Sequence, residues 1–145
     1  MIFGLAGLAF AGRPLWAASY PAVDVFRDPG CGCCEKWVEH LRAAGFTVTI
    51  TDDPDRQARR ASLGIGDDQA SCHTAVIGPY AIEGHVPARE ILRFLDERPP
   101  GAIGLSVPGM PMGSPGMGEP GTGEPYDVLL LFKGKPPQVY AAYPG

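Results

Sequence analysis

The chain has 145 residues, a formal net charge of −4 from 12 basic and 16 acidic residues, and a hydrophobic fraction of 45%. That length suits one domain able to bury a core. Neither charge sign forms a long run, so the basic footprint of a nucleic-acid-binding protein is absent and no nucleic-acid partner is expected.

Residues 1–12, MIFGLAGLAFAG, are apolar and small, and Ala17 and Ser19 suit the small-residue positions of a signal-peptidase site. The segment is too short for a standard membrane-spanning helix. Residues 1–19 are therefore expected to be a signal peptide, and residues 20–145 a single periplasmic or secreted domain with no stable membrane insertion after cleavage.

AVDVFRD (22–28) alternates apolar and polar residues and predicts a strand. In CEKWVEHLRAAGF, Trp37, Leu41 and Ala44 fall at helical spacing before Gly45. FTVTITD (46–52) predicts a second strand, so the first fifty residues suit a parallel strand–helix–strand unit. Asp53 and Pro54 read as a cap and first position of a short helix reaching Gly64. TAVIGPYAIEG (74–84) reads as a hairpin about Gly78 and Pro79, and Pro87 opens a helix carrying Ala88, Ile91, Leu92 and Leu95 on one face. This order resembles the thioredoxin-like fold, an α/β βαβ-α-ββα core. Residues 101–125, rich in Gly, Pro and Met, are expected to form a long loop without regular helix or strand. YDVLLLF and QVYAAY then predict an added C-terminal β-hairpin.

Three of the four cysteines, Cys31, Cys33 and Cys34, lie at the predicted strand-to-helix junction. A helix N-terminus favours the thiolate, the reactive form in disulfide exchange and a soft ligand for Cu(I) or zinc. Two structural disulfides are disfavoured, because three cysteines within one turn cross-link almost nothing. In a thioredoxin-like arrangement, Cys72 and His73 stand where a redox relative usually carries a cis-proline, opposite the CGCC loop. His85, at the far end of the hairpin, can approach the same pocket, whereas His40 lies about 10 Å further along its helix and is read as an ordinary histidine. Met110, Met112 and Met117 add thioethers, soft donors that form no disulfides. Glu83 is read as a partner orienting His85 or as a strand-end charge.

CGCC, SCHTAVIGPYAIEGHVP and GLSVPGMPMGSPGM, followed by the terminal YDV strand, resemble the domain of unknown function 411 family, whose members are often found beside copper-resistance genes. The resemblance runs from about Val23 to Tyr140. It implies handling of copper or another heavy metal, with Cys31, Cys33, Cys34, Cys72, His73 and His85 at the family's characteristic blocks.

Three functions are weighed. The first is an exported copper-binding protein, a metallochaperone, buffer or resistance factor, holding Cu(I) through thiolates and histidine and handing it to a protein partner. The second is a periplasmic thiol–disulfide oxidoreductase using Cys31 as nucleophile and Cys34 as resolving thiol. The third is a structural zinc site, for which the ligand spacing is a weak match. No phosphate loop, Ser-His-Asp set or carboxylate pair stands in a persuasive context, so hydrolytic catalysis is not expected.

Overall fold

The computed structural model describes residues 19–145, so the export segment expected at 1–19 lies outside the described residues apart from Ser19. Strand β1 (Val23–Arg27) buries Val23 and Val25 on one face. Helix α1 (Gly32–Ala43) buries Cys34, Trp37, Val38 and Leu41, the stripe an amphipathic helix turns toward a core. Strand β2 (Val48–Asp52) pairs parallel to β1, with Val23 opposite Val48, which completes the expected strand–helix–strand unit.

Helix α2 (Arg56–Leu63) ends at Gly64 in the left-handed conformation, but its cap is not the expected Asp53. Asp55 caps it, accepting from the Ala58 N–H. Asp53 is committed elsewhere: its carboxylate accepts from the Asp55 N–H and from the Arg59 guanidinium. A 3-10 turn at Asp67–Gln69 leads into β3 (His73–Ile77) and β4 (Tyr80–Glu83), an antiparallel hairpin with Thr74 opposite Glu83. Helix α3 (Ala88–Glu97) follows Pro87 and buries Ala88, Ile91 and Phe94. Its first free N–H, on Ala88, donates to His40 Nε2 at 3.0 Å, so His40 ties α3 to α1.

The Gly/Pro-rich segment departs from expectation at its start. Ala102–Ser106 is a regular strand, β5, parallel to β4 with Ile82 opposite Leu105. The glycine at 104 that argued against a strand is what lets it form, because a Cβ there would stand 1.7 Å from the Ala81 carbonyl oxygen. The remainder, up to β6 (Tyr126–Phe132), is the loop expected, and β6 forms a hairpin with β7 (Lys135–Tyr143).

The result is a mixed α/β fold with one seven-stranded sheet in the order β2-β1-β3-β4-β5-β6-β7. Trp37, Leu41, Ile77, Ile82, Ile91, Phe94 and Leu105 are fully buried in its core. Each such side chain contributes about 1.5–3 kcal/mol by leaving water. For the site, the decisive register is antiparallel: Arg27, the last residue of β1, lies opposite His73, the first of β3. The loop leaving β1 and the segment entering β3 therefore meet at one edge, and these carry the CGCC motif and Cys72.

Candidate metal centre

Helix α1 starts directly on the cysteine motif, with Cys31 at its N-cap and Cys33 and Cys34 in its first turn. Cys31 and Cys34 are joined by a disulfide, while Cys33 and Cys72 carry free thiols. Arg27 Nη1 donates to the Cys31 carbonyl at 3.2 Å, and the Arg56 guanidinium links Asp28 to the Ser71 carbonyl. Two arginines thus hold the CGCC loop and the Cys72 segment against each other from outside.

Cys72 is the hub. Its Sγ lies 3.8 Å from Cys33 Sγ, 3.6 Å from Cys34 Sγ, 3.3 Å from His73 Nδ1 and 3.1 Å from His85 Nε2. Cys31 Sγ lies 3.4 Å from Cys33 Sγ. The four cysteines form one group, and Cys72, His73 and His85 a second, each with its donor atoms within 4.8 Å of one another. Metal–sulfur bonds of about 2.3 Å place neighbouring ligands of a tetrahedral ion roughly 3.8 Å apart, so these spacings fit a small soft cation. Cys72 belongs to both groups, and a metal held there can draw on sulfur from one side and imidazole from the other.

The histidines are prepared as neutral donors. His85 Nδ1 meets the Pro115 carbonyl at 2.6 Å; the oxygen can only accept, so Nδ1 carries the proton and Nε2 presents its lone pair toward Cys72. Burial lowers the pKa of His85, and burial with the neighbouring His85 lowers that of His73 well below the ordinary value. His73 is fully enclosed, its ring 4.3 Å from that of Trp37 and 5.0 Å from that of His85. Among the described residues its Nε2 has no hydrogen-bond partner, and its ring lies tilted against Trp37 and edge-on to His85. Burial, then the proximity of Cys33, pushes the Cys72 thiol up to about 12, so at neutral pH it keeps its proton until a cation displaces it.

Glu83 does not orient His85, contrary to one sequence expectation. It is fully buried and accepts from the Ser71 N–H at 2.7 Å and the Thr74 hydroxyl, fixing the backbone on both sides of Cys72 and His73. The group that does orient His85 is a loop carbonyl, which no side-chain pattern announces. Gly116 beside it is equally constrained: φ is +87°, and a Cβ would come within 2.9 Å of the Cys33 carbonyl and the Trp37 nitrogen. The methionine loop thus closes on the centre through backbone at Pro115 and Gly116. Met110 and Met112 face solvent, and Met117 is half-buried.

Among the described residues no helix is long and apolar enough to cross a membrane. Residues 69–117, which span Cys72, His73, His85 and the three loop methionines, match the family described as protein of unknown function DUF411. Two solved structures are similar. A form 1 structure of a copper resistance protein CopG is 43% identical with a TM-score of 0.81, over 87% of this chain and 99% of its own. A form 2 structure is 42% identical with a TM-score of 0.80, over 86% and 99%. No curated protein matches the chain significantly.

Proposed function

The chain belongs to the DUF411 copper-resistance family, and from that premise we propose that it is an exported protein that binds copper as Cu(I) at the Cys72 hub. The observation that carries this reading is the convergence of Cys33 and Cys34 Sγ, His73 Nδ1 and His85 Nε2 on Cys72 Sγ within 3.1–3.8 Å. Thiolate and imidazole are the donors that suit Cu(I), and among the described residues neither donor group includes a carboxylate, as a hard cation would need. Residues 20–145 act as one periplasmic or secreted domain whose β1-to-α3 part is read as a thioredoxin-like core. The site is only partly closed, with Cys33 and Cys72 half-buried, so an incoming ligand on a partner protein can reach the metal and take it. A buffer or metallochaperone in copper resistance needs that access.

An anaerobic Cu(I) titration of the reduced protein against a chromophoric chelator, with copper-edge X-ray absorption on the complex, tests the reading. Stoichiometric binding with sulfur-dominated ligation is expected. Weak, non-stoichiometric binding, or tighter binding of zinc under the same competition, refutes it.

The Cys31–Cys34 disulfide favours a second reading, a thiol–disulfide oxidoreductase in which Cys31 is attacked and Cys34 leaves. Turnover of a dithiol substrate by metal-free protein distinguishes the two.

A further inference from the structure

Met110 and Met112 are each about half exposed, at 51% and 48%, although an unbranched thioether ordinarily fills gaps in a core. They are nevertheless held in place. Gly109, just before Met110, is hydrogen-bonded to Ala70 through its N–H at 3.0 Å and to the Ser71 hydroxyl through its carbonyl. The Met112 carbonyl accepts from the Glu124 N–H at 2.9 Å, and the fully buried Ser114 caps the turn by donating to the Pro111 carbonyl at 2.7 Å. Pro115 is then pinned to His85. The arch 110–114 therefore starts beside Ser71, next to Cys72, and ends one residue before Pro115, whose carbonyl meets His85, so Met110 and Met112 are carried, exposed, on a segment anchored at both ends to the Cys/His cluster.

We propose that Met110 and Met112 form a separate surface site for a soft monovalent cation, Cu(I) or Ag(I), which captures the ion before it passes to Cys72. The capture role rests on the copper reading above; the site itself does not. Thioethers bind soft cations while neutral and form no disulfides, so this site stays competent when Cys31 and Cys34 are oxidised and withdrawn as ligands. Transfer inward is ligand exchange alone. The two S–metal bonds break as bonds to Cys72 and its neighbours form, no electron moves, and each thiol engaged releases its proton to solvent.

The test uses the full chain with methionine ε-methyl groups labelled with carbon-13, in a Cys33→Ser/Cys72→Ser background that removes the free thiols. Silver nitrate is titrated in. The Met110 and Met112 resonances are expected to shift together and saturate at one equivalent, and Met110→Leu or Met112→Leu to weaken Ag(I) binding by about tenfold or more. Unmoved methyls, or leucine variants that bind equally well, overturn the site. In the native background, Cu(I) uptake from a chelator by Met110→Leu/Met112→Leu is expected to slow by about fivefold or more at unchanged equilibrium affinity. An equal rate overturns capture. Should Ag(I) move the methyls while the reduced chain fails to bind Cu(I) tightly, the thioether site stands and the copper reading of the cysteine cluster falls.

Discussion

Cys72 Sγ lies 3.1 Å from His85 Nε2 although 13 residues separate them. The β3–β4 register explains it. Thr74 faces Glu83 and Ile77 faces Tyr80, so continuing the antiparallel pairing past the strand ends brings Cys72 opposite His85. The Gly84 N–H donating to the His73 carbonyl at 3.0 Å shows that the pairing does continue. A hairpin is thus used as a caliper, and its open end sets the distance between a sulfur and a nitrogen donor.

Because Cys72 is shared by both donor groups, Cys72→Ser is expected to lower Cu(I) affinity further than Cys33→Ser or His85→Gln, by about two orders of magnitude or more. Competition titrations of the three variants in reduced form provide the comparison. Equal losses across them would mean the metal does not centre on Cys72.

The Cys31–Cys34 disulfide is expected to make Cu(I) binding depend on redox state. Denatured under non-reducing conditions, the oxidised chain is expected to react with two equivalents of a thiol reagent, at Cys33 and Cys72, and the reduced chain with four. Cu(I) affinity is expected to rise on reduction, since two more sulfurs become thiols able to ligate. Identical Cu(I) affinity in the two states would exclude Cys31 and Cys34 from the ligand set.

The Cys72 thiol, pushed up to about 12 mainly by burial, is protonated throughout the physiological range. A thiol ligates metal as its thiolate, so on the proposed reading each Cu(I) bound is expected to displace this proton and apparent affinity to rise with pH by about tenfold per unit or more. Titrations between about pH 6 and 8, below that pKa, should show at least this slope, since every other thiol engaged releases a proton too, and Cys72→Ser should make it shallower by about one proton per Cu(I). A flat profile in the native chain argues that Cys72 is not a ligand.

Much of this centre was legible in the sequence, and what was not has physical reasons. CGCC at a strand-to-helix junction and Cys72-His73 before a hairpin are side-chain patterns, and the structure brings them together with His85. Pro115 was not legible as the partner of His85, because it acts through a carbonyl that every residue possesses. Glu83 was legible as a strand-end charge but not in its burial or its role, which depends on the turn of Ser71 back over Thr74. Strand β5 was hidden because Gly104 reads as a breaker in isolation and as a close-contact residue only once β4 lies beside it.

Gly116→Ala tests whether the loop backbone sets the site. The added methyl would meet the Cys33 carbonyl and Trp37 nitrogen at 2.9 Å, at a positive φ that already disfavours alanine. A cost of about 1–3 kcal/mol in stability is expected, together with weaker Cu(I) binding as Pro115 withdraws from His85. Chemical denaturation and chelator competition on the same preparation check both. Unchanged values in both would show that the loop yields without disturbing His85.

His40 supplies a pH dependence that can be isolated from the metal centre. Its Nε2 accepts the Ala88 N–H at 3.0 Å, and burial lowers its pKa from the ordinary value near 6.5. Between that ordinary value and the lower native one, the unfolded chain binds a proton at this position that the native chain refuses. Stability from this group is therefore complete above the unfolded pKa and is lost as pH falls through the native pKa. His73 and His85 shift in the same direction, and Arg89 and Glu119 line the cavity beside His40, so the comparison must be with a variant that alters His40 alone. His40→Leu is expected to cost about 1 kcal/mol at pH 7.5, where the bond to α3 is intact. That difference should shrink as the pH drops through the native pKa and protonation removes the acceptor from the parent chain. Urea denaturation of both proteins across this range measures it, and parallel stability curves would show that His40 does not titrate against α3.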